Sequence, residues 1–239
     1  MATFVLIHGA WHGGWCWKNV IPILRSAGHD VFTPSLTGLG SRAHLAHPGI
    51  RLDTHIEDVI GVIESEDLQD VILCGHSYAG MVITGAADRI ADRVNTLIYL
   101  DAFVPESGAS MMSFYSPEKV SERLKEAGQT GEGWKVQPLS AKYFGVLREE
   151  DADWIDRHCT PQPILTQIQA IDLSGNWKLV SNKVFIEAEN HPQDTFRDFA
   201  ARFRADPAWS VYGLPCGHEI MIDLPEELAA IFLEIADKA

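Results

Sequence analysis

Short apolar runs alternate with segments of helical periodicity along most of this chain. Six runs have the apolar, often β-branched character of buried strands, at residues 3–8, 30–33, 71–74, 96–104, 183–188 and 209–213. Apolar residues at helical spacing follow most of these runs, beginning near residues 20, 52, 81, 195 and 225. Strands and helices that alternate in this way predict an α/β fold with a mostly parallel sheet flanked by helices. Ligands of such sheets bind at the carboxyl ends of the strands.

The run at residues 71–74 leads into the sequence GHSYAG at residues 75–80 and then into a predicted helix. A serine between small residues at a sharp strand-to-helix turn is typical of a nucleophile elbow, which exposes the serine Oγ. Gly75 and Ala79 lie two residues either side of Ser77 and leave room for a strained turn, and Gly80 adds clearance. The alternative is an ordinary turn in which Ser77 only caps the helix.

A glycine-rich loop, HGAWHGGWCW at residues 8–17, follows the first predicted strand. Its glycines lack the Gly-x-Gly-x-x-Gly order of a dinucleotide-binding loop, and its tryptophans would crowd a bound phosphate. We instead predict an oxyanion loop, in which the backbone amides of Ala10 and Tyr78 donate to the carbonyl oxygen of an ester held over Ser77. A tight turn packed by aromatic residues is the alternative.

The alternation of strands and helices stops over residues 106–182, where Pro and Gly separate short helical patterns. We predict a helical cap here, inserted between strands of a single domain over residues 1–239 whose core is residues 1–105 and 183–239. Its aromatic and Met residues are expected to line an apolar pocket, although they could instead form a small core of their own. These residues are Met111, Met112, Phe114, Tyr115, Trp134, Tyr143, Phe144 and Trp154.

Composition narrows the range of partners. The 239 residues include 33 acidic and 19 basic side chains, which gives a net charge of -14. This charge disfavours nucleic acid and anionic membranes, because both would be repelled, and it favours a small neutral or apolar ligand. We identify no signal peptide or membrane span. Four cysteines without metal-type spacing (Cys16, Cys74, Cys159, Cys216) indicate free thiols in the cytoplasm.

Two polar residues are placed where they could meet Ser77. Asp101 lies at the carboxyl end of a predicted strand, and His218 lies in the loop between the last predicted strand and the last helix. A histidine in that loop can reach over the edge of the sheet. Ten histidines occur in the chain, so the choice of His218 depends on its position after the serine and in the final loop.

With these motifs in this order, the chain resembles the α/β-hydrolase superfamily, in the branch of plant methyl esterases, hydroxynitrile lyases and bacterial carboxylesterases. The resemblance covers nearly the whole chain and includes residues 8–11, 35–40, 99–105, 160–163 and 217–218 besides the elbow. It implies an α/β-hydrolase fold and a serine hydrolase with Ser77 as nucleophile and His218 as general base. It also implies that no metal or organic cofactor takes part.

The resemblance leaves the acidic member of the triad open. In most of the superfamily the acid follows the strand after the cap, and by spacing that place falls near His191, with Glu189 and Asp194 as the nearest carboxylates. Some haloalkane dehalogenases instead carry the acid at the end of the strand before the cap, which resembles the context of Asp101. We expect Asp101 to be the acid, with Glu189 as the alternative.

The predicted activity is hydrolysis of a small, largely apolar carboxylic ester through an acyl-enzyme. Lactone or amide hydrolysis uses the same residues, and a ligand-binding protein with little turnover is a further alternative. Hydroxynitrile lyases carry Thr and Lys at the positions of Gly9 and Glu219. The carboxylate of Glu219 would repel cyanide, so lyase activity is disfavoured. Haloalkane dehalogenases carry Asp at the position of Ser77, which excludes that activity. The oligomeric state is open, with a homodimer as one possibility.

Overall fold

The computed structural model of the protein describes residues 1–191 and 193–238. Its strands are β1 (Thr3–Ile7), β2 (Asp30–Phe32), β3 (Val71–His76), β4 (Val94–Leu100), β5 (Lys135–Val136), β6 (Gln162–Pro163), β7 (Asn182–Ala188) and β8 (Trp209–Leu214). Its α-helices are α1 (Ile21–Ser26), α2 (Leu52–Ser65), α3 (Ala79–Arg89), α4 (Pro117–Thr130), α5 (Glu149–His158), α6 (Leu165–Ile168), α7 (Asp194–Arg204), α8 (Ile220–Asp223) and α9 (Pro225–Ala236).

Six of the strands form one sheet in the order β2-β1-β3-β4-β7-β8, and every neighbouring pair is parallel. Alternate strand residues pack into two cores, one on each face of the sheet. Val5 and Ile7 of β1 contribute to one core, whereas Phe4 and Leu6 contribute to the other. Parallel sheets that are covered on both faces have continuously apolar strands, and for this reason the apolar runs in the sequence predicted these strands.

The segment between β4 and β7 contains α4, α5 and α6. It also contains an antiparallel pair, β5 and β6, which was not predicted. Each of these two strands has only two residues, too few for a period-two pattern to stand out. Among residues 1–191 and 193–238, no helix has the length and apolar character that a membrane crossing requires.

Two element boundaries differ from the predicted ones near the carboxyl edge of the sheet. The strand predicted over residues 96–104 ends at Leu100, because Asp101 takes a left-handed backbone conformation with φ of 42°. The elbow helix begins at Ala79, two residues before the predicted start. Both differences place a sharp turn directly after a buried strand, which is where side chains can project over the sheet edge.

We expect Gly80→Ala to destabilise the fold, because a Cβ at this position would collide with the backbone carbonyl of Phe103. Overpacking against backbone costs about 1–3 kcal/mol. Urea denaturation should therefore give a lower free energy of unfolding. The matched control is Gly61→Ala on the exposed side of α2, where a Cβ meets nothing within 4 Å. That change should raise stability by up to about 1 kcal/mol, since Ala is the better helix former. Equal effects of the two substitutions would contradict the tight elbow.

Candidate active site

Ser77 occupies the turn between β3 and α3 with φ of 55°, a conformation that is rare for residues other than glycine. Two backbone hydrogen bonds hold this turn against the end of β4. The Ser77 amide donates to Leu100 O at 3.1 Å, and the Phe103 amide donates to Ser77 O at 3.2 Å. A Cβ at Gly75 would lie 2.7 Å from Ala79 O, so the turn closes only with glycine there. These contacts fix the strained serine at the sheet edge.

The carboxylate of Asp101 lies at the end of β4, next to the elbow strand. Its Oδ2 accepts a hydrogen bond from His218 Nδ1 at 2.6 Å, and both side chains are buried. The His218 ring stacks on Phe196, with centroids 5.5 Å apart and planes 9° apart. Because Nδ1 faces Asp101, Nε2 is the nitrogen that is left for a substrate or for Ser77. Ser77 and His218 line the same pocket.

A second histidine contacts the same carboxylate oxygen. His191 Nδ1 lies 2.8 Å from Asp101 Oδ2, and His191 is also buried. Burial alone would raise the pKa of Asp101, but the hydrogen bonds from His191 and His218 hold it below its ordinary value. Burial lowers the pKa of His191, so its imidazole is neutral and carries its proton on the nitrogen that faces Asp101.

The alternative acids lie elsewhere. Glu189 is exposed and lies beside Gly213 of β8. The side chain of Asp194 is 89% exposed and lies 3.5 Å from Arg197 on α7. Asp101 is therefore the carboxylate that contacts the His218 nitrogen. The contact between Asp101 and His191 was not predicted, because sequence spacing marked residue 191 only as a place where an acid was missing.

The backbone amides predicted as oxyanion donors belong to Ala10 and Tyr78, two buried residues that directly follow Gly9 and Ser77. Within the part of the chain that the structure describes, neither amide has a hydrogen-bond acceptor. The next amide along the loop, that of Trp11, donates to Gln162 Oε1 at 3.1 Å. Unpaired buried amides are rare in folded proteins, and two of them near a strained serine are donors available to a ligand.

Gly9 and Glu219 have different surroundings from those that lyase chemistry would need. A Cβ at Gly9 would lie 2.8 Å from His76 Nδ1 and 3.1 Å from Ser77 Cβ, so this backbone leaves no room for a threonine. Glu219 is buried next to His12 rather than in the lining of the Ser77 pocket. Steric exclusion at Gly9 therefore disfavours lyase chemistry more directly than repulsion of cyanide by Glu219 does.

The pocket that contains Ser77 and His218 is narrow and mostly apolar. Of the eight cap residues proposed as lining, Met111, Tyr115, Tyr143 and Phe144 line it. Trp154 instead packs edge-on against Trp15 with ring centroids 4.9 Å apart. Five further lining residues were not predicted from the sequence, namely Trp11, Arg123, Leu139, Gln193 and Phe196. Side chains from the segment between β4 and β7 and from the loops at the sheet edge thus enclose the serine together.

One group of residues brings three possible metal ligands together, Asp101, His191 and His218, with atoms within 4.8 Å of one another. The nitrogens of both histidines that face the carboxylate already lie at hydrogen-bond distance from its Oδ2. An ion between them would have to displace both hydrogen bonds. The geometry of these residues therefore fits a hydrogen-bonded carboxylate better than a metal centre.

A buried ion pair connects the loop of Ala10 with the loop of His218. His12 Nε2 lies 3.3 Å from Glu219 Oε2, and His12 Nδ1 lies 2.7 Å from Ala10 O. Burial alone would lower the pKa of His12, but Glu219 and then Cys159 raise it well above its usual range. Burial alone would raise the pKa of Glu219, but His12 holds it far below its ordinary value. Both residues are therefore charged at neutral pH.

We expect Glu219→Gln to lower the free energy of unfolding by about 3 kcal/mol, because it leaves a buried imidazolium without its partner. The loss relative to the unchanged protein should be largest between pH 4.5 and 6.5, the ordinary pKa values of Glu219 and His12. It should shrink below pH 4.5, where Glu219 of the unfolded chain takes up a proton, and above pH 6.5, where His12 of the unfolded chain loses one.

Urea denaturation across this pH range measures the effect. The exposed pair of Lys238 and Glu234 provides the control, since Glu234→Gln should leave stability unchanged. A loss for Glu219→Gln that does not vary with pH would contradict the ion pair.

Comparisons with known proteins identify the family. The chain is 47% identical to a carbendazim hydrolyzing esterase of Nocardioides sp. (strain SG-4G), over 96% of this chain and 97% of that protein. It is 26% identical to methylesterase 10 of Arabidopsis thaliana, over 98% and 92% of the two chains. An alpha-hydroxynitrile lyase of Arabidopsis thaliana is 34% identical over 44% of this chain and 41% of that protein. The branch that the sequence motifs predicted is thus confirmed.

Solved structures agree on the fold. An extracellular alpha/beta-hydrolase from a Paenibacillus species superimposes with a TM-score of 0.87 at 22% identity, and the match covers 98% of each chain. The α/β-hydrolase fold predicted from the sequence is therefore confirmed. The sequence profile of the Alpha/beta hydrolase family matches residues 4–231, so this chain belongs to that family.

Proposed function

We propose that the protein is a serine esterase that hydrolyses small, largely apolar carboxylic esters. The observation that carries the proposal is the 2.6 Å hydrogen bond between Asp101 Oδ2 and His218 Nδ1, at a pocket that also contains the strained Ser77. A histidine that is hydrogen-bonded to a buried carboxylate and shares a pocket with a strained serine supplies the parts of a hydrolytic triad. The relative at 47% identity is named an esterase, which supports the same reaction.

In the first step, His218 Nε2 takes the proton of the Ser77 hydroxyl as Oγ forms a bond to the ester carbonyl carbon. The imidazolium then gives this proton to the leaving alcohol as the ester bond breaks. Water attacks the acyl-enzyme in the same way and releases the carboxylic acid. Within the described residues Ser77 Oγ has no hydrogen bond to His218, and catalytic hydrogen bonds of this kind often form only when a substrate is bound.

The amides of Ala10 and Tyr78 are proposed to bind the oxyanion of the tetrahedral intermediate. Their support is that both are buried and lack an acceptor in the described part of the chain. Donors that are fixed before the reaction stabilise the negative charge as it develops, without having to reorganise. The contact of His12 with Ala10 O, in turn, fixes the loop that carries the first donor.

The narrow pocket favours substrates with a small acyl or alcohol group. Carbendazim, named for the bacterial relative, is a reasonable first compound to assay. A ligand-binding protein with little turnover is the weaker alternative, because the hydrogen bond between His218 and Asp101 supports a triad without an acid after Ala188. A cytoplasmic location remains part of the proposal, supported by the free thiols of Cys16, Cys74, Cys159 and Cys216.

The test measures the burst of para-nitrophenol that accompanies acylation by para-nitrophenyl butyrate. Ser77→Ala should abolish the burst, because no other hydroxyl takes part in the proposed reaction. Asp101→Asn should lower kcat by about ten thousand-fold, since His218 loses the acceptor that fixes its tautomer. The matched control is Glu189→Gln, the alternative acid, which should keep kcat within about two-fold of the unchanged protein.

Two results would contradict the proposal. An undiminished burst in the Ser77→Ala variant would remove the nucleophile assignment. A large loss in Glu189→Gln together with a small one in Asp101→Asn would move the acid to the strand after the cap.

A further inference from the structure

His191 lies three residues after the end of β7, at the edge where β3, β4 and β7 end side by side. It is 4% exposed, and its ring lies 4.3 Å from the ring of His218, centroid to centroid. Both imidazoles contact the same oxygen of Asp101, at 2.8 and 2.6 Å. A neutral histidine held in this way is a hydrogen-bond donor to the carboxylate and not a competing base.

Asp101 depends on few donors. Its other oxygen, Oδ1, accepts only the Ala188 amide among the described residues, at the longer distance of 3.3 Å. A carboxylate that is buried to this degree is costly to ionise unless donors compensate for the lost water. The two histidines therefore supply most of the hydrogen bonding that keeps Asp101 charged. Of the two, only His218 lines the Ser77 pocket.

We infer that His191 is a positioning residue of the triad, an inference that rests on the proposed function. Its Nδ1–H fixes the orientation of the Asp101 carboxylate, so that Oδ2 stays directed at His218. It also takes up part of the negative charge of the carboxylate. Asp101 consequently holds the His218 imidazolium less strongly than a carboxylate with a single histidine donor would.

Other charged and titratable groups face the two imidazoles from the surrounding elements. Burial, followed by the charge of His218, lowers the pKa of His76 to about 3, so His76 is neutral throughout the assay range. Its Nε2 lies 3.0 Å from His218 O. The remaining groups are Glu219 with His12 behind His218, Arg197 at 3.5 Å from His191 O, and Lys119, Tyr115, Tyr143 and Asp194 along the outer pocket.

The test compares His191→Phe, which keeps an aromatic ring but loses the donor, with His191→Asn, whose amide nitrogen can replace Nδ1. His191→Phe should lower kcat about ten-fold, with KM unchanged, because the carboxylate loses a charge-assisted hydrogen bond. The acidic midpoint of its kcat/KM profile should rise by roughly half a pH unit, since the full negative charge of Asp101 then acts on His218. His191→Asn should recover most of kcat and of the midpoint.

Unchanged kcat and midpoint in His191→Phe would overturn the inference, as would equal losses in both variants, which indicate a role in packing alone. Thermal denaturation of both variants shows whether they are folded. Failure of the proposed function looks different, because Ser77→Ala and Asp101→Asn would then retain activity whatever residue 191 is.

A second and independent observation concerns the charge in the Ser77 pocket. Arg123 of α4 lines this pocket, and its guanidinium carbon lies 5.4 Å from the ring centroids of both Trp11 and Tyr115. The other lining side chains carry no permanent charge. Among residues 1–191 and 193–238, no carboxylate lies within 4.0 Å of Arg123.

An arginine held between aromatic rings without an acidic partner is oriented by cation–π contacts, and its N–H groups remain available to a ligand. We propose that Arg123 is a subsite for a carboxylate on an otherwise apolar acyl chain, so that the proposed esterase favours monoesters of dicarboxylic acids. Arg123 is positively charged, whereas the whole chain has a net charge of -14. This negative charge disfavours binding of anions elsewhere on the surface.

Two para-nitrophenyl esters with acyl chains of equal length test this subsite, the hexanoate and the monoester of adipic acid. Arg123→Gln should lower kcat/KM for the adipate monoester by at least about ten-fold, the value of one hydrogen bond to a charged group. The hexanoate should change by less than about two-fold. Arg202→Gln, at an exposed position of helix α7, is the matched control and should affect neither ester.

Equal effects of Arg123→Gln on both esters would overturn the subsite. A fall for the hexanoate alone would also overturn it, since Arg123 would then act only by packing. If the unchanged protein cleaves neither ester, the proposed function fails, and this result is distinct from loss of selectivity.

Discussion

The site depends on one buried carboxylate and the two imidazoles that donate to it. Asp101 is 1% exposed, yet the hydrogen bonds from His218 and His191 outweigh the effect of burial on its pKa. Its left-handed backbone, with φ of 42°, directs the side chain away from the end of β4 and across the sheet edge. Strained residues persist only where the surrounding structure fixes them, and here the Asp101 amide donates to Ile186 O on β7 at 2.7 Å.

The parallel sheet makes this arrangement possible, because it brings distant segments to one edge. β3 carries Ser77, β4 carries Asp101 and the loop after β8 carries His218, and the strand order places β3, β4, β7 and β8 in sequence. The elbow is joined to β4 by backbone hydrogen bonds on both sides of Ser77. The ion pair of His12 and Glu219 then joins the first loop to the last one. A buried pair of this kind contributes little stability compared with apolar residues of similar volume, so its value is to hold the two loops in register.

Much of this architecture could be predicted from the sequence, for physical reasons that also explain the failures. Strands buried on both faces are continuously apolar, and the elbow needs small residues at fixed positions around Ser77, so both leave a strong local signal. No local sequence signal distinguishes Asp101 from Glu189 as the acid, because β4 and β7 are neighbours and either strand end can approach the final loop. The backbone conformation at residue 101, which turns Asp101 toward His218, is not encoded in residue spacing.

The contacts of His191 and Arg123 were beyond sequence reasoning for a related reason. His191 was noticed only because an acid was missing there, whereas its value depends on a partner 90 residues earlier in the chain. Arg123 lies on α4, a mostly polar helix that has the pattern of a solvated surface helix, and only the packing of the cap turns it toward Trp11. Likewise α8 has four residues, too few to show a helical period.

Proton NMR of the protein labelled with nitrogen-15 at histidine detects whether both imidazoles donate to Asp101. We expect two strongly deshielded Nδ1–H signals, one from His218 and one from His191, and both should disappear in Asp101→Ala. Absence of such signals in the unchanged protein, or their survival in Asp101→Ala, would contradict this arrangement.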